Sequence, residues 1–481
     1  MNDCILVFDF GTTALKTALI DADFRIAAVE SYDFNYDVPA PGCMECSVEL
    51  YRRAMRETVR TIIPNHSVRR IAVTGQAETL IFVDGTGEAI APAIVWLDDR
   101  AKKEAETLSE ALDSRRFFAV TGNPAVDPVM PLCKLPWVRK NLPELDGKYE
   151  KALLLHDWVI HELTGEPFAE HGILSCSGYF DINRKAYDSD LLSAAGIDEK
   201  RLAEPAEPFA EVGTLSESSA RLLGLPAGTP VSSGTLDQCA SALGAGNITA
   251  GRVTETTGTV LAIAATLDRF EPDRLSVPVL CHGIRNRFLA LPYAPAAGGA
   301  LKQFRNQFLP EMTFSKIDEA AQKRPESNLL CLPHFCGKVS PAFRSEATGV
   351  FYGITLDTSP VDMARAIMEG VAFLLKENVE ALKNCGCSAN ELLSFGGGAA
   401  SAFWTQLKAD ALGLPVKAAD VHESTALGCA LGTALYAGEL TERDIAEREI
   451  PGKRFLPDDN TSAILKKYEN YLEVSRKLGI L

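Results

Sequence analysis

The chain lacks the features that would place it in a membrane, on nucleic acid or outside the cell. No stretch of its 481 residues approaches the ~18 unbroken apolar residues of a membrane span. Met1-Asn2-Asp3 carries no basic leader, and the apolar run Cys4 to Phe8 is too short for a signal-peptide core. Basic residues are outnumbered: 48 Lys+Arg against 64 Asp+Glu give a formal net charge of −16, which argues against a nucleic-acid-binding face. Histidine is scarce, and its seven copies are scattered. The twelve cysteines keep no regular spacing beyond Cys43-x-x-Cys46 and Cys385-x-Cys387, so neither a zinc site nor a disulfide framework is indicated. Low-complexity tracts and long linkers are missing too; Ala203 to Glu211, acidic and broken by proline, reads as a surface loop. What remains is a globular composition, 46% hydrophobic and 23% charged, with reduced thiols that suit a cytoplasmic setting.

Strand-like apolar runs alternate with helical patterns along the chain, which predicts an α/β architecture. Cys4 to Phe8 and Leu15 to Ile20 flank Gly11-Thr12-Thr13 as an opening hairpin. Val48, Tyr51, Met55, Val59 and Ile62 then recur at helical spacing. Ile71 to Val73, Leu80 to Val83 and Ile94 to Trp96 are further strand candidates. Near residue 250 the pattern restarts: Arg252 to Ala265 is again strand, Thr/Gly turn, strand. This internal echo predicts two similar halves, residues 1–246 and 247–481, facing one another across a cleft. Thr461 to Leu481 is predicted to close the chain as an amphipathic helix with Ile464, Tyr468, Tyr471 and Leu472 on one side.

Four segments could carry chemistry. In Asp9-Phe10-Gly11-Thr12-Thr13-Ala14-Leu15-Lys16, a Gly/Thr turn can aim N–H groups and hydroxyls at an anion, Lys16 adds charge, and Asp9 could hold a hydrated Mg²⁺. An ordinary hairpin turn explains the same residues equally well. Thr256-Thr257-Gly258-Thr259 is the matching turn of the second half, and the pair together suits a triphosphate gripped from both walls. Leu393 to Ala399, with Gly396-Gly397-Gly398, reads as strand, glycine turn and helix, a close approach for a base or phosphate or simply tight packing. Ser232 to Gln238 is a strand ending in Asp237, either a helix cap or a carboxylate placed to take a proton from a hydroxyl.

Together these segments resemble the FGGY family of carbohydrate kinases, in order and spacing, from Asp9 to about Gly438. The resemblance extends through Gly75-Gln76-Ala77-Glu78, Pro92 to Arg100, Thr121-Gly122-Asn123, Leu163-Thr164-Gly165-Glu166, Ala297-Gly298-Gly299-Ala300, Gly349-Val350-Phe351 and Glu369 to Phe373. Its most specific block is Gly396-Gly397-Gly398-Ala399-x-Ser401-x-x-Trp404-x-Gln406-x-x-Ala409-Asp410, with Glu423 and Ala426-Leu427-Gly428 after it. The resemblance implies two ribonuclease-H-like domains of the actin/hexokinase type with ATP and a sugar or polyol in the cleft between them. It implies phosphate contacts from Gly11, Thr12, Thr13 and Lys16, and a nucleotide pocket lined by Gly258, Thr259, Gly298, Lys302, Gly397, Gly398 and Ser401. It implies Asp9 as a holder of Mg²⁺ through water and Asp237 as the general base. Substrate hydroxyls would meet Gln76, Ala77, Glu78, Trp96, Asp98, Arg100 and Gln238. The partners implied are a small sugar or polyol, neither nucleic acid nor membrane, with room for a homodimer.

Several positions depart from the family pattern. Glycerol kinases carry an Arg where this chain has Ala77, and xylulose kinases carry Met-His in place of Ala77-Glu78. Many pentulose kinases have Asp-Ala-Ser near Ile173-Leu174-Ser175, and the usual Gly-Glu-Arg becomes Gly337-Lys338-Val339. The small Ala77 leaves room for a substrate larger than glycerol. The expectation is a ketopentose such as xylulose, with a four- or five-carbon polyol or other ketose as the alternative. A catalytically silent sugar sensor on the same scaffold belongs to a different class, and a sugar-independent ATPase to a third.

Overall fold

The structure, a computed structural model, describes residues 2–480 apart from 325, 326, 345, 385 and 422. Cys385 of the Cys-x-Cys pair therefore lies outside the described residues, whereas Cys43 and Cys46 are free thiols.

The first half is built on a six-stranded sheet of β1 (Asn2–Phe10), β2 (Ala14–Ile20), β3 (Ile26–Asp33), β4 (His66–Gly75), β5 (Glu211–Thr214) and β6 (Pro230–Leu236), in the order β5-β6-β4-β1-β2-β3. Cys4 to Phe8 of β1 are all fully buried, the unbroken apolar run of a strand covered on both faces. Helix α1 (Val48–Ile62) covers one face, burying the five residues its periodicity predicts. Tyr51 on this helix meets Phe10 and Phe34 edge to face.

The second half repeats the plan. Its strands are β7 (Val253–Thr257), β8 (Leu261–Leu267), β9 (Val279–Cys281), β10 (Phe288–Ala290), β11 (Tyr293–Ala294), β12 (Leu392–Phe395), β13 (Val416–Ala419) and β14 (Gly452–Phe455). The order is β9-β10-β8-β7-β12-β13-β14, with β11 also paired to β8. In each half an antiparallel hairpin, β1–β2 or β7–β8, lies beside a parallel strand, β4 or β12. The echo in the sequence is thus an echo in topology.

Two helices join the halves: α2 (Asp237–Gly244), which leaves β6, and α6 (Ser424–Tyr436) of the second half. The second half also contributes α3 (Gly298–Phe308), α4 (Pro360–Asn384), α5 (Ala402–Leu412) and the closing α7 (Thr461–Lys477). The backbones of α2 and α6 touch. A Cβ on Gly428 would stand 1.8 Å from the Ala240 carbonyl oxygen, and the Ser241 and Ser424 hydroxyls meet at 3.1 Å. Strand β9 reaches back to the first half, where Val279 N–H donates to the Gly122 carbonyl and Cys281 N–H to Ser175 Oγ.

Two local expectations are corrected. Ala203 to Glu211 is not a surface loop: Glu204–Ala206 pairs in parallel with Phe168–Glu170, and Ala203, Ala206 and Phe209 are buried. Phe209 stacks on Tyr436 of α6, so tertiary packing overrides the turn-like composition. The strand expected at Ile94 to Trp96 is confined to Ala93–Ile94, and Trp96 leaves the sheet for the cleft. No helix among the described residues is long and apolar enough to cross a membrane.

Candidate active site

The first Gly/Thr turn joins β1 to β2, and Asp9 lies opposite Lys16 in that hairpin and beside Thr74 on β4. The Asp9 carboxyl is raised to about 7, first by burial and then by the neighbouring Asp237, with Lys16 acting against the shift. Asp237 opens α2 at the end of β6, where its Oδ1 accepts the Gln238 N–H at 2.7 Å. Burial lifts its carboxyl to about 6. Two carboxylates from the ends of β1 and β6, the strands on either side of β4, thus lie in one desolvated region, and the charge of Asp237 favours the protonated form of Asp9. Lys16 Nζ contacts both oxygens of Glu423, at 2.9 and 3.0 Å, so its charge is shared with the second half across the cleft.

Beyond the end of β4 the chain builds a polar wall. Gln76 is buried, and neither its amide nitrogen nor its oxygen has a hydrogen-bond partner. The Tyr36 hydroxyl lies beside it but donates to the Thr12 carbonyl. Glu78 sits at φ +67°, a left-handed conformation uncommon for a residue of its size. Its carboxyl is raised to about 7 by burial, against the opposing pull of Lys134. The ammonium of Lys134, fully buried, donates to the carbonyls of Val95 at 2.9 Å and Glu78 at 3.3 Å and so braces this conformation from behind. Trp96 ties the wall to the phosphate turn, its N–H donating to Thr79 Oγ1 and its Nε1 to Thr12 Oγ1 at 3.3 Å. Gln238 is exposed beside Asp237, and Ala77 is buried.

Asp98 is not presented to a substrate. It is fully buried, and its oxygens are taken by Arg100 Nε at 2.8 Å and the Met44 N–H at 2.6 Å. Arg100 in turn reaches Glu45 at 2.8 Å and stacks on Trp137. This pair is a brace under the wall, because a buried carboxylate needs its partners more than a cleft needs its charge. Ile173 is a core residue, and Lys338 forms a buried pair with Glu377 of α4 at 2.8 Å.

In the second half three turns converge. The Thr259 carbonyl accepts N–H groups of Ala297 and Gly299, each at 3.0 Å. Contact is so close that a Cβ on Gly298 would stand 2.3 Å from the Gly258 carbonyl oxygen, and one on Gly398 2.6 Å from Thr257 Cβ. Lys302 projects from the exposed side of α3, Gly397 is exposed, and Ser401 caps α5 by accepting the Trp404 N–H at 3.0 Å.

Sequence reasoning missed Asp127, Lys134, Cys176 and Tyr293. Asp127 acts electrostatically on Glu78, Lys134 and Tyr293, and Cys176 lies near both Glu78 and Asp237. Tyr293 reaches them from the other half, opposite the small Ala262 on β8. These residues come from separate segments, and only the fold brings them together; the lone basic residue in Pro131 to Val138 was the one available signal, at Lys134.

A cleft between two ribonuclease-H-like halves, with two carboxylates and facing Gly/Thr turns, defines a phosphotransferase of the actin/hexokinase type. Residues 4–244 match the N-terminal domain, and residues 254–437 the C-terminal domain, of the FGGY family of carbohydrate kinases. The chain belongs to this family and is an ATP-dependent carbohydrate kinase. It is 26% identical over 447 residues to a xylulose kinase of Staphylococcus xylosus, covering 90% of both chains. It is likewise 26% identical over 457 residues to a gluconokinase of Bacillus subtilis, covering 91% of this chain and 88% of the relative. The solved xylulose kinase of Rhodospirillum rubrum superimposes with a TM-score of 0.92 at 25% identity, over 99% of each chain.

Proposed function

We propose that the acceptor is a neutral ketose, a ketopentose of the xylulose type, rather than a sugar acid. The observation that carries this is the wall of Gln76, Glu78, Asp127 and Asp237: a buried amide with both functions open, and carboxylates that accept from hydroxyls. A carboxylate substrate would need a cation here. Arg100 is committed to Asp98 and Glu45, and Lys134 to two carbonyls, so neither is offered. Ala77 adds no bulk. The xylulose kinases among the relatives support the same reading.

Phosphoryl transfer proceeds through a loose transition state whose charge lies on the phosphate oxygens, so alignment and electrostatics supply most of the catalysis. In this reading Thr12, Thr13 and Lys16 hold the phosphates from one wall. Gly258, Thr259, Gly298, Lys302, Gly397, Gly398 and Ser401 line the nucleotide pocket on the other. Asp237 orients the attacking hydroxyl and takes its proton. Asp9 and Asp237 offer hard oxygen donors without a full protein cage, since no cluster of three such ligands occurs among the described residues. That fits Mg²⁺, which retains water and phosphate ligands, with Asp9 as its holder; when bound it offsets the phosphate charge. The chain divides as 1–246 and 247–481, works in the cytoplasm, and has room to pair as a homodimer.

The test is ADP release with D-xylulose, D-ribulose, erythritol, ribitol, glycerol and D-gluconate, with product identified by mass. Turnover with a ketopentose and none with gluconate is expected. Gluconate as the best acceptor would overturn the reading; ADP release independent of any acceptor would make the chain an ATPase.

A further inference from the structure

Beneath the nucleotide turns lies an ion pair that the mechanism above does not use. Lys408 of α5 and Glu255 of β7 have fully buried side chains, with Nζ to Oε1 at 2.6 Å. Lys408 Nζ also donates to Thr257 Oγ1 at 2.9 Å and approaches Ser394 Oγ at 3.4 Å. Thr257 Oγ1 donates to the other Glu255 oxygen at 2.7 Å, and Ser394 Oγ donates to Oε1. Glu255 and Ser394 stand opposite one another on the parallel strands β7 and β12. The network is closed: one ammonium and one carboxylate hold two hydroxyls, and no water is required.

Its position is what matters. Thr257 is the residue before the Gly258-Thr259 turn, and Ser394 lies two residues before Gly396. The network therefore grips both turns at their roots, from below the surface that the nucleotide would touch. As a source of stability it is a poor choice, because desolvating two charges costs several kcal/mol, and well-packed apolar residues of equal volume often do as well or better. What apolar packing does not supply is direction. The β7–β12 ladder sets the strand register but ends at Thr256 and Phe395; beyond it the four hydrogen-bonded centres orient the roots of the two turns, which non-directional dispersion contacts do not. In a reaction that depends on alignment, a displacement of about 1 Å costs on the order of 10²-fold.

We propose that Lys408 and Glu255 are positioning residues for phosphoryl transfer, setting the spacing between the Gly258-Thr259 turn and the Gly396 to Gly398 turn. They act through Thr257 and Ser394 and touch no substrate. The proposal rests on the assignment of those turns to ATP, so its test includes a variant that probes the assignment alone.

The test compares Glu255→Met/Lys408→Met and Ser394→Ala with Gly398→Val, measuring ADP affinity by calorimetry, kcat and the KM of ATP and D-xylulose, and Tm. The double variant is expected to keep Tm within a few degrees, weaken ADP at least tenfold and lower kcat, with the KM of D-xylulose unchanged. Ser394→Ala, which removes one arm without stranding a charge, is expected to weaken ADP about threefold to tenfold. Gly398→Val is expected to weaken ADP more than either. Native ADP affinity and kcat in the double variant, beside a weakened Gly398→Val, would overturn the positioning role alone. Native ADP affinity in Gly398→Val would overturn the turn assignment and the proposal with it. If the double variant fails to fold, Ser394→Ala decides: native ADP affinity there refutes the proposal.

Discussion

Replacing Asp237 by Asn tests the chemistry most directly. The substitution keeps the oxygen that accepts the Gln238 N–H, so the start of α2 survives, and removes only the ability to take a proton. Loss of a general base costs about 10²–10⁴-fold, or about 3–5 kcal/mol of transition-state stabilisation at 1.36 kcal/mol per decade. The pH profile sharpens the test. With its carboxyl at about 6, Asp237 is about nine-tenths ionised at pH 7 and about one-tenth at pH 5. A base must be ionised to act, so native kcat/KM is expected to fall about tenfold as pH drops from 7 to 5. The variant should lose that limb while binding ADP normally. Coupled assay of ADP release from pH 5 to 8 measures both. Turnover within threefold of native, or an acid limb left in place, would refute the role of Asp237. Asp9→Asn offers a companion measurement: the limb near pH 6 should stay in place, because burial and not Asp9 raises the Asp237 carboxyl, whatever the variant does to the rate.

Other outcomes follow from the same geometry. Gly298→Ala places a Cβ against the Gly258 carbonyl oxygen and should raise the KM of ATP at least tenfold, with that of the acceptor unchanged. Glu78→Gln should raise the acceptor KM and stabilise the fold. A carboxyl raised to about 7 binds more protons folded than unfolded, so the native protein loses stability as pH climbs from about 4.5 through about 7. The variant should therefore gain on the order of 1–3 kcal/mol at pH 8 and little at pH 4, as read by urea unfolding. Lys338→Met strands Glu377 in the core and should cost about 3–5 kcal/mol near neutral pH by urea unfolding. Adding Glu377→Leu should recover most of that loss.

Much of this architecture is written in local patterns. The run Cys4 to Phe8, the spacing from Val48 to Ile62 and the Thr/Gly turn after β7 each follow from periodicity or turn chemistry, and they landed where expected. The strand-end carboxylates Asp9 and Asp237 were legible because strand ends are readable; the influence of Asp237 on Asp9 was not, since it depends on β1 and β6 flanking β4. Asp98 shows the opposite failure. The family resemblance implied a substrate contact for it, but in the fold it is buried and held by Arg100 as a brace. Lys134 and Tyr293 were harder to read for a similar reason: one is a lone buried cation in the first turns of the helix Pro131–Asn141, the other an aromatic delivered from the far half. Lys338, which breaks the family pattern, acquires meaning only once α4 brings Glu377 to it.

The contact of α2 with α6 has a mechanical consequence. Where a glycine Cα faces a carbonyl oxygen, no side chain is left to compress, so the two helices cannot be pressed closer. The Ser241–Ser424 bond resists their separation. Such a crossing acts as a rivet: it permits turning and forbids sliding. Asp237 begins the helix that Gly244 ends, about 10 Å away at 1.5 Å per residue. The rivet sits at Ala240 and Ser241, about 5 Å along the helix from Asp237, so a turn of roughly 10° about it sweeps Asp237 by about 1 Å. That is the difference between an acceptor oxygen in line with a phosphorus and one out of line, so a bulky residue at Gly428 would jam the scissors without touching either blade.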